Sequence, residues 1–215
     1  MVKLVSSEEI TKLYAPSARG VEFVEVPEYN FVMLDGIMEE GKRPATSELF
    51  QEALNTLNGI SFTLKFMSKL SRQNPVDYNT MPLEALWHPG KKKDYNDRTG
   101  WKWTMMMMQP AHITLEMFKN AVASLKKKQG EIPSLTLARF ESLHEGLAVQ
   151  IMHVSSFGLI SMTIDRIKSF VKEENYKLAL PYHEIYLSDP RHENPIEERT
   201  ILRYPIIKND QRRKT

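Results

Sequence analysis

Two glutamates, Glu84 and Glu184, each sit inside a short apolar segment, Met81-Pro-Leu-Glu84-Ala-Leu-Trp87 and Leu180-Pro-Tyr-His-Glu184-Ile-Tyr-Leu187. A carboxylate among Leu, Ile, Trp and Tyr carries a desolvation cost. Either each glutamate points to water from a half-buried strand, or the two approach a shared pocket. In a pocket, a carboxylate serves as counter-charge or general base. Strand alternation places Tyr182 and Tyr186 on the face of Glu184 and turns His183, Ile185 and Leu187 away. Pro82 and Leu86 share the face of Glu84, with Trp87 opposite. A Tyr-x-Glu-x-Tyr face suits a semi-apolar pocket, offering rings for stacking, hydroxyls for hydrogen bonds and one carboxylate. The plainer alternative is a solvent-facing glutamate flanked by tyrosines.

Trp87, Trp101 and Trp103 lie close in sequence around one polar loop. Aromatic strand residues are most often core, yet Trp101 and Trp103 share a face at the loop's mouth, where binding surfaces often form. Met105 to Met108 reads as a buried strand whose flexible side chains also suit an adaptable pocket. His153, mid-strand, reads as a core or pocket-wall residue. The six histidines include no His-x-x-x-His pair, and Leu187 stands where His183-Glu184 would need a second histidine to make a zinc-protease motif, so no metal is expected. No cofactor is expected either: there is no glycine-rich phosphate loop, and no Gly-x-Ser-x-Gly elbow is present.

The elements that must hold these residues alternate strands and helices. A short helix is expected over Ser7–Tyr14, with Ser6 or Ser7 as cap. Strands are expected at Val21–Val26, Tyr29–Leu34, Val76–Trp87, Trp101–Met108, Leu135–Glu141, Leu147–Val154, Tyr182–Leu187 and Thr200–Ile206, with a turn at Glu145-Gly146. Helices are expected at Thr46–Leu57 (continuing or bending over Ile60–Leu70), Thr114–Lys127 and Thr163–Glu174. The halves repeat an order in which a pro-initiated strand with a central glutamate returns after a helix. That repetition reads as a divergent internal duplication. The expected fold is α+β: duplicated strand–helix–strand–strand modules, antiparallel sheets with helices on one face, and a pseudo-twofold central cleft. An N-terminal extension over 1–20 precedes a single domain over 21–206, with modules at about 21–108 and 135–206, and 207–215 forms a basic tail.

Composition narrows the function classes. The formal net charge of +2 gives no argument for nucleic acid, and the absence of cysteine excludes disulfides and a thiol nucleophile. Lys91 to Lys93 and Lys126 to Lys128 read as solvated loop and helix ends. No apolar run approaches the ~20 residues needed to span a bilayer. The N-terminus lacks a signal-peptide core, so a cytoplasmic location is expected.

Phe50-Gln-Glu-Ala53, Tyr78 through Pro82-Leu-Glu-Ala-Leu-Trp87, Trp101-Lys-Trp103, Glu145-Gly-Leu-Ala-Val-Gln-Ile-Met-His153, His183-Glu-Ile-Tyr-Leu-Ser-Asp-Pro-Arg191 and Thr200-Ile-Leu-Arg-Tyr-Pro205 carry a resemblance. On these segments, spanning about 20–206, the chain resembles the GyrI-like small-molecule-binding proteins, named after a gyrase-inhibitory protein. It is most similar to their stand-alone subgroup with cyclopropanoid cyclopropyl hydrolase activity. The chain departs from the family's usual pattern at Ala85, His88 and Ser155 to Gly158, all on the expected pocket rim.

The resemblance implies a pocket glutamate at Glu184 and a lipophilic aromatic ligand, such as the cyclopropane-bearing DNA-alkylating toxins of the yatakemycin and duocarmycin type. Glu184 would activate water, Tyr182 or Tyr186 would assist, and Trp101, Trp103, Trp87 and Tyr78 would form stacking walls. Glu84, His153 and Met105 complete the expected ligand-binding set. Burial is expected to raise the Glu184 pKa. The rival is a non-catalytic module that sequesters lipophilic drugs, or a gyrase-interacting inhibitor.

Overall fold

The computed structural model describes residues 7–90, 94–154, 159–191 and 198–209. Lys91 to Lys93, Ser155 to Gly158 and the Gln211–Thr215 end of the expected tail lie outside the described residues, as does Ser6. Module one comprises β1 (Glu22–Ile37), α2 (Glu48–Lys69), β2 (Leu83–His88) and β3 (Lys102–Gln109). The second comprises β4 (Arg139–Val154), α5 (Ile160–Glu173), β6 (Tyr182–Tyr186) and β7 (Arg199–Lys208), with a short β5 (Tyr176–Leu178) before β6. Helix α1 (Ser7–Tyr14) precedes the first module, and α3 (Leu115–Gln129) and α4 (Pro133–Leu137) join the two.

Local chemistry sets the helix ends. The Ser47 hydroxyl accepts from Phe50 N at the start of α2, and Thr114 does the same for Met117 N at the start of α3. α3 stops at Gly130, whose φ of +85° is open to glycine at little cost.

The strands expected at Val21–Val26 and Tyr29–Leu34 are one strand, β1, which runs through Pro27. Residues 139–154 are likewise one strand, so Glu145-Gly146 is not a hairpin turn, and Leu135 lies in α4 instead of a strand. The reason is mutual. Val26 pairs with Gly146 and Glu28 with His144, which sets Pro27, lacking an N–H, across from Glu145. Gly146 takes a φ of +72° there. Two irregularities that would each break a strand alone face one another and are absorbed as one local distortion. Val76–Pro82 is not strand, and ladder pairing begins at Leu83.

The sheet order is β4-β1-β3-β2-β6-β7-β5, entirely antiparallel, and β4 also pairs with β7. Six strands therefore close into a ring, with β5 outside it on β7. Helices α2, α3 and α5 cover one face, where the main core forms from Leu57, Ile60, Trp87, Trp103, Ile164, Ile167 and their neighbours. The second face carries smaller apolar clusters, and Tyr14 of α1 packs against all three. Among the described residues no helix is long and apolar enough to cross a membrane.

Candidate functional site

On the helix-covered face the pairing registers line side chains in rows across the strands. One row runs Gly36, Trp103, Trp87, Tyr182. The next runs Leu34, Met105, Ala85, Glu184, Leu202. Gly36 belongs to the site because of its neighbour: a Cβ there would lie 2.1 Å from Cζ2 of Trp103. The missing side chain lets the indole lie flat over β1. Ala85, directly opposite Glu184, likewise leaves room beside the carboxylate.

Glu184 is fully buried, and its partner is Arg98. Arg98 Nη2 donates to Oε1 at 2.7 Å and Nη1 donates to Oε2 at 2.9 Å, a bidentate pair. Tyr182 donates to Oε1 at 3.1 Å and Tyr186 donates to Oε2 at 2.7 Å. Each carboxylate oxygen therefore accepts two hydrogen bonds. The guanidinium carbon of Arg98 lies 4.4 Å from the Trp87 ring centroid, 5.8 Å from Trp101 and 5.9 Å from Tyr182. Trp87 Nε1 donates to the Tyr186 hydroxyl, and Phe50 of α2 stacks on Trp87. Tyr95 closes the other side, with its ring edge-on to Trp101 and Tyr182 and its hydroxyl accepting from Tyr204.

Electrostatics here overturn one expectation. Burial alone pushes Glu184 up, but the Arg98 charge and the hydrogen bonds from Arg98, Tyr186 and Tyr182 outweigh it and hold the carboxyl below its ordinary range. Burial raises Tyr182 and Tyr186 well above the usual phenol value, and the Glu184 charge adds to this, so both stay protonated as donors.

The two glutamates do not share a pocket. Glu84 pairs across the ladder with Ile185 and Met106, whereas Glu184 pairs with Ala85, so they occupy opposite faces. Neither faces solvent. Glu84 is buried on the second face, where it accepts from Tyr14 at 2.7 Å and stands 2.9 Å from His183 Nε2. His183 Nδ1 meets Glu145 at 3.1 Å, and Glu145 also meets Arg203 at 3.3 Å. Desolvation disfavours charge on His183, but Glu145 and Glu84 overcome it and push its pKa up to about 9. A cavity of about 10 Å³, room for roughly one water, lies among these groups.

Of the other expected residues, Trp87 and Trp101 line the Glu184 cluster. Trp103 lies in the adjoining row, and Met105 lies in the row of Glu184 itself, beyond Ala85. His153 binds Thr163 of α5 at 2.8 Å and so holds that helix on β4. Tyr78 stands edge-on to His112 near the end of α2, and burial pushes its pKa to about 12. Arg98, Tyr95, Tyr204 and Phe50 were not expected as part of the site. The desolvation cost of a carboxylate among apolar residues was legible, but nothing in the loop sequence Asp94-Tyr-Asn-Asp-Arg98-Thr-Gly100 singles Arg98 out as its counter-ion. Among the described residues no group of three or more His, Asp or Glu side chains is placed to hold a metal.

No family model matches the chain, and no curated protein matches it significantly. Solved structures do. An uncharacterized conserved protein from Listeria innocua aligns at 33% identity with a TM-score of 0.82, covering 93% of this chain and 98% of its own. A hydrolase encoded by lin2189 from the same organism aligns at 34% identity with a TM-score of 0.81, covering 93% and 97%. The EcmrR C-terminal domain, at 13% identity and a TM-score of 0.51 over 87% and 97% of the two chains, shares the fold alone. The antiparallel sheet with its helices on one face is consistent with a GyrI-like fold, and the chain belongs to the family of these Listeria innocua proteins.

Proposed function

We propose that the helix-covered face binds a planar aromatic small molecule, and that Glu184 there promotes hydrolytic opening of a strained electrophilic ring. One observation carries the reading: a fully buried carboxylate held between two tyrosine hydroxyls and walled by Trp87, Trp101 and Tyr95. The name hydrolase carried by relatives at 33–34% identity supports the same direction.

A cyclopropane conjugated to a dienone is already electrophilic, so the chain need only orient water and receive charge. Water oxygen attacks the cyclopropyl carbon while the opposing carbon–carbon bond breaks. Its electron pair moves into the dienone and leaves a phenolate. Glu184 takes the proton lost by water and afterwards returns it, through solvent, to the phenolate oxygen, toward which a tyrosine hydroxyl donates a hydrogen bond, so the net change is addition of one water. General-base help of this kind is worth ~10²–10⁴-fold. Glu184→Gln is therefore expected to keep ligand binding and lose turnover by about that factor, read by mass analysis of the water adduct over time. Full turnover in that variant rejects the assignment.

A second reading has its own observation. The Arg98 guanidinium lies over Trp87 and pairs with Glu184, and this arrangement of a planar cation between ring and carboxylate supports non-catalytic sequestration of lipophilic cations. An unchanged ligand recovered after long incubation supports it.

A further inference from the structure

We infer that Arg98 is an internal occupant of the site, and that segment 94–100 is a strap that must withdraw before a ligand can reach Glu184. This rests on the binding reading above and adds its regulation. Glu184 is saturated. A carboxylate offers about four acceptor positions, and all four on Glu184 are filled, two by Arg98 and two by tyrosines. No position remains for water or a ligand cation while Arg98 stays. The same guanidinium covers the Trp87 face that a planar ligand would stack upon.

The strap is anchored at one end and tied by side chains elsewhere. Its C-terminal end is fixed to the end of β1 region by Gly100 N to Met38 O and Met38 N to Trp101 O. The middle is tied through side chains. Arg98 binds Glu184, Tyr95 binds Tyr204, and Thr99 Oγ1 accepts from Gly41 N. Gly100, the last residue of the segment, has a φ of +74°. A segment held mainly by side chains can swing from such a glycine without breaking a strand ladder.

Withdrawal also changes the glutamate. With Arg98 gone, burial still penalises the carboxylate, and its strongest opposing influence is removed. Glu184 then changes from a locked counter-ion into a base of raised proton affinity, so entry of the ligand and activation of the base are one event.

The test uses the dye rhodamine 6G, an aromatic cation, followed by quenching of tryptophan fluorescence. If the closed strap dominates the free protein, apparent affinity is reduced by the open fraction, so Arg98→Gln is expected to bind the dye about tenfold or more tightly. Equal or weaker binding by a folded variant overturns the inference. Arg98→Ala should also gain thermal stability from millimolar methylguanidinium, which fills the vacated cage, while the unaltered protein does not respond. No response in folded Arg98→Ala counts against it. Should neither variant fold, hydrogen exchange on the unaltered protein decides: dye binding should speed exchange across 94–100, and slowed or unchanged exchange in the dye complex rejects the strap. Failure of the dye to bind any of the proteins would defeat the binding reading, whereas the methylguanidinium response reports on the strap alone.

Discussion

His183 shows how a single residue sets the pH response of the fold. It is enclosed by Glu84 and Glu145, with Arg203 on Glu145 and Tyr14 on Glu84, and its pKa in the folded chain is about 9, against an ordinary value of 6.5. A raised folded value means that its contribution to stability is complete below about pH 6.5 and is lost as pH climbs through about 9. The contribution is of order a few kcal/mol. Urea unfolding at pH 6, 7.5 and 9.5 should show falling stability, and His183→Gln should flatten that decline. A decline of the same size in the variant would place its origin elsewhere. Residue chemistry was only half legible in the sequence. The polar demand of Glu184 followed from its neighbours. The parity that separates the two glutamates was also present: Glu84 lies two residues after Pro82, whereas Glu184 lies three after Pro181. With a side-chain period of two, that single step turns equivalent strands' glutamates to opposite faces.

Among the elements, the rows of side chains depend on close approach between strands. Gly36→Ala places a Cβ within the Trp103 ring. The indole must move toward Trp87, and overpacking of this kind costs ~1–3 kcal/mol. The expected outcome is a lower denaturation midpoint together with a changed near-ultraviolet tryptophan signal; an unchanged signal would show that β1 shifts instead. Helices α2 and α3 were legible, because their apolar period and capping residues are local. The joined strands β1 and β4 were not. Pro27 and Gly146 are both strand-breaking signals in one dimension, and only their juxtaposition across the ladder makes them compatible with continuous pairing. The three residues of β5 are too few to give an alternation, and it forms by pairing with β7.

For the whole molecule, the two faces of the ring have separate duties. Helix α1 completes the second face: the Lys12 carbonyl accepts from Gln150, the Leu13 carbonyl accepts from Arg203, and the Tyr14 hydroxyl donates to Glu84. Deleting residues 1–14 removes these partners from buried polar groups and uncovers apolar side chains, so the midpoint of thermal unfolding should fall by several degrees or more. Ligand binding on the helix-covered face should survive in the fraction that remains folded. Loss of binding with no loss of stability would contradict this division. The duplicated order of elements was legible, whereas the closure of β4 onto β7 was not, since nothing local marks which distant strands will meet.

Ring closure also governs how copies of this chain meet one another. An open sheet offers two outer strands whose bare amides and carbonyls can recruit a neighbour's backbone. Here β4 pairs with β1 over Arg139–Gln150 and with β7 over Ala148–Val154, so closure engages both of its sides only where the two ladders overlap, at Ala148 to Gln150. Among the described strands, the stretch Arg139–Leu147 pairs with β1 alone and keeps one bare edge. Sheet-to-sheet association in crowded or partly heated samples should therefore begin at that stretch, with no need for the ring itself to open.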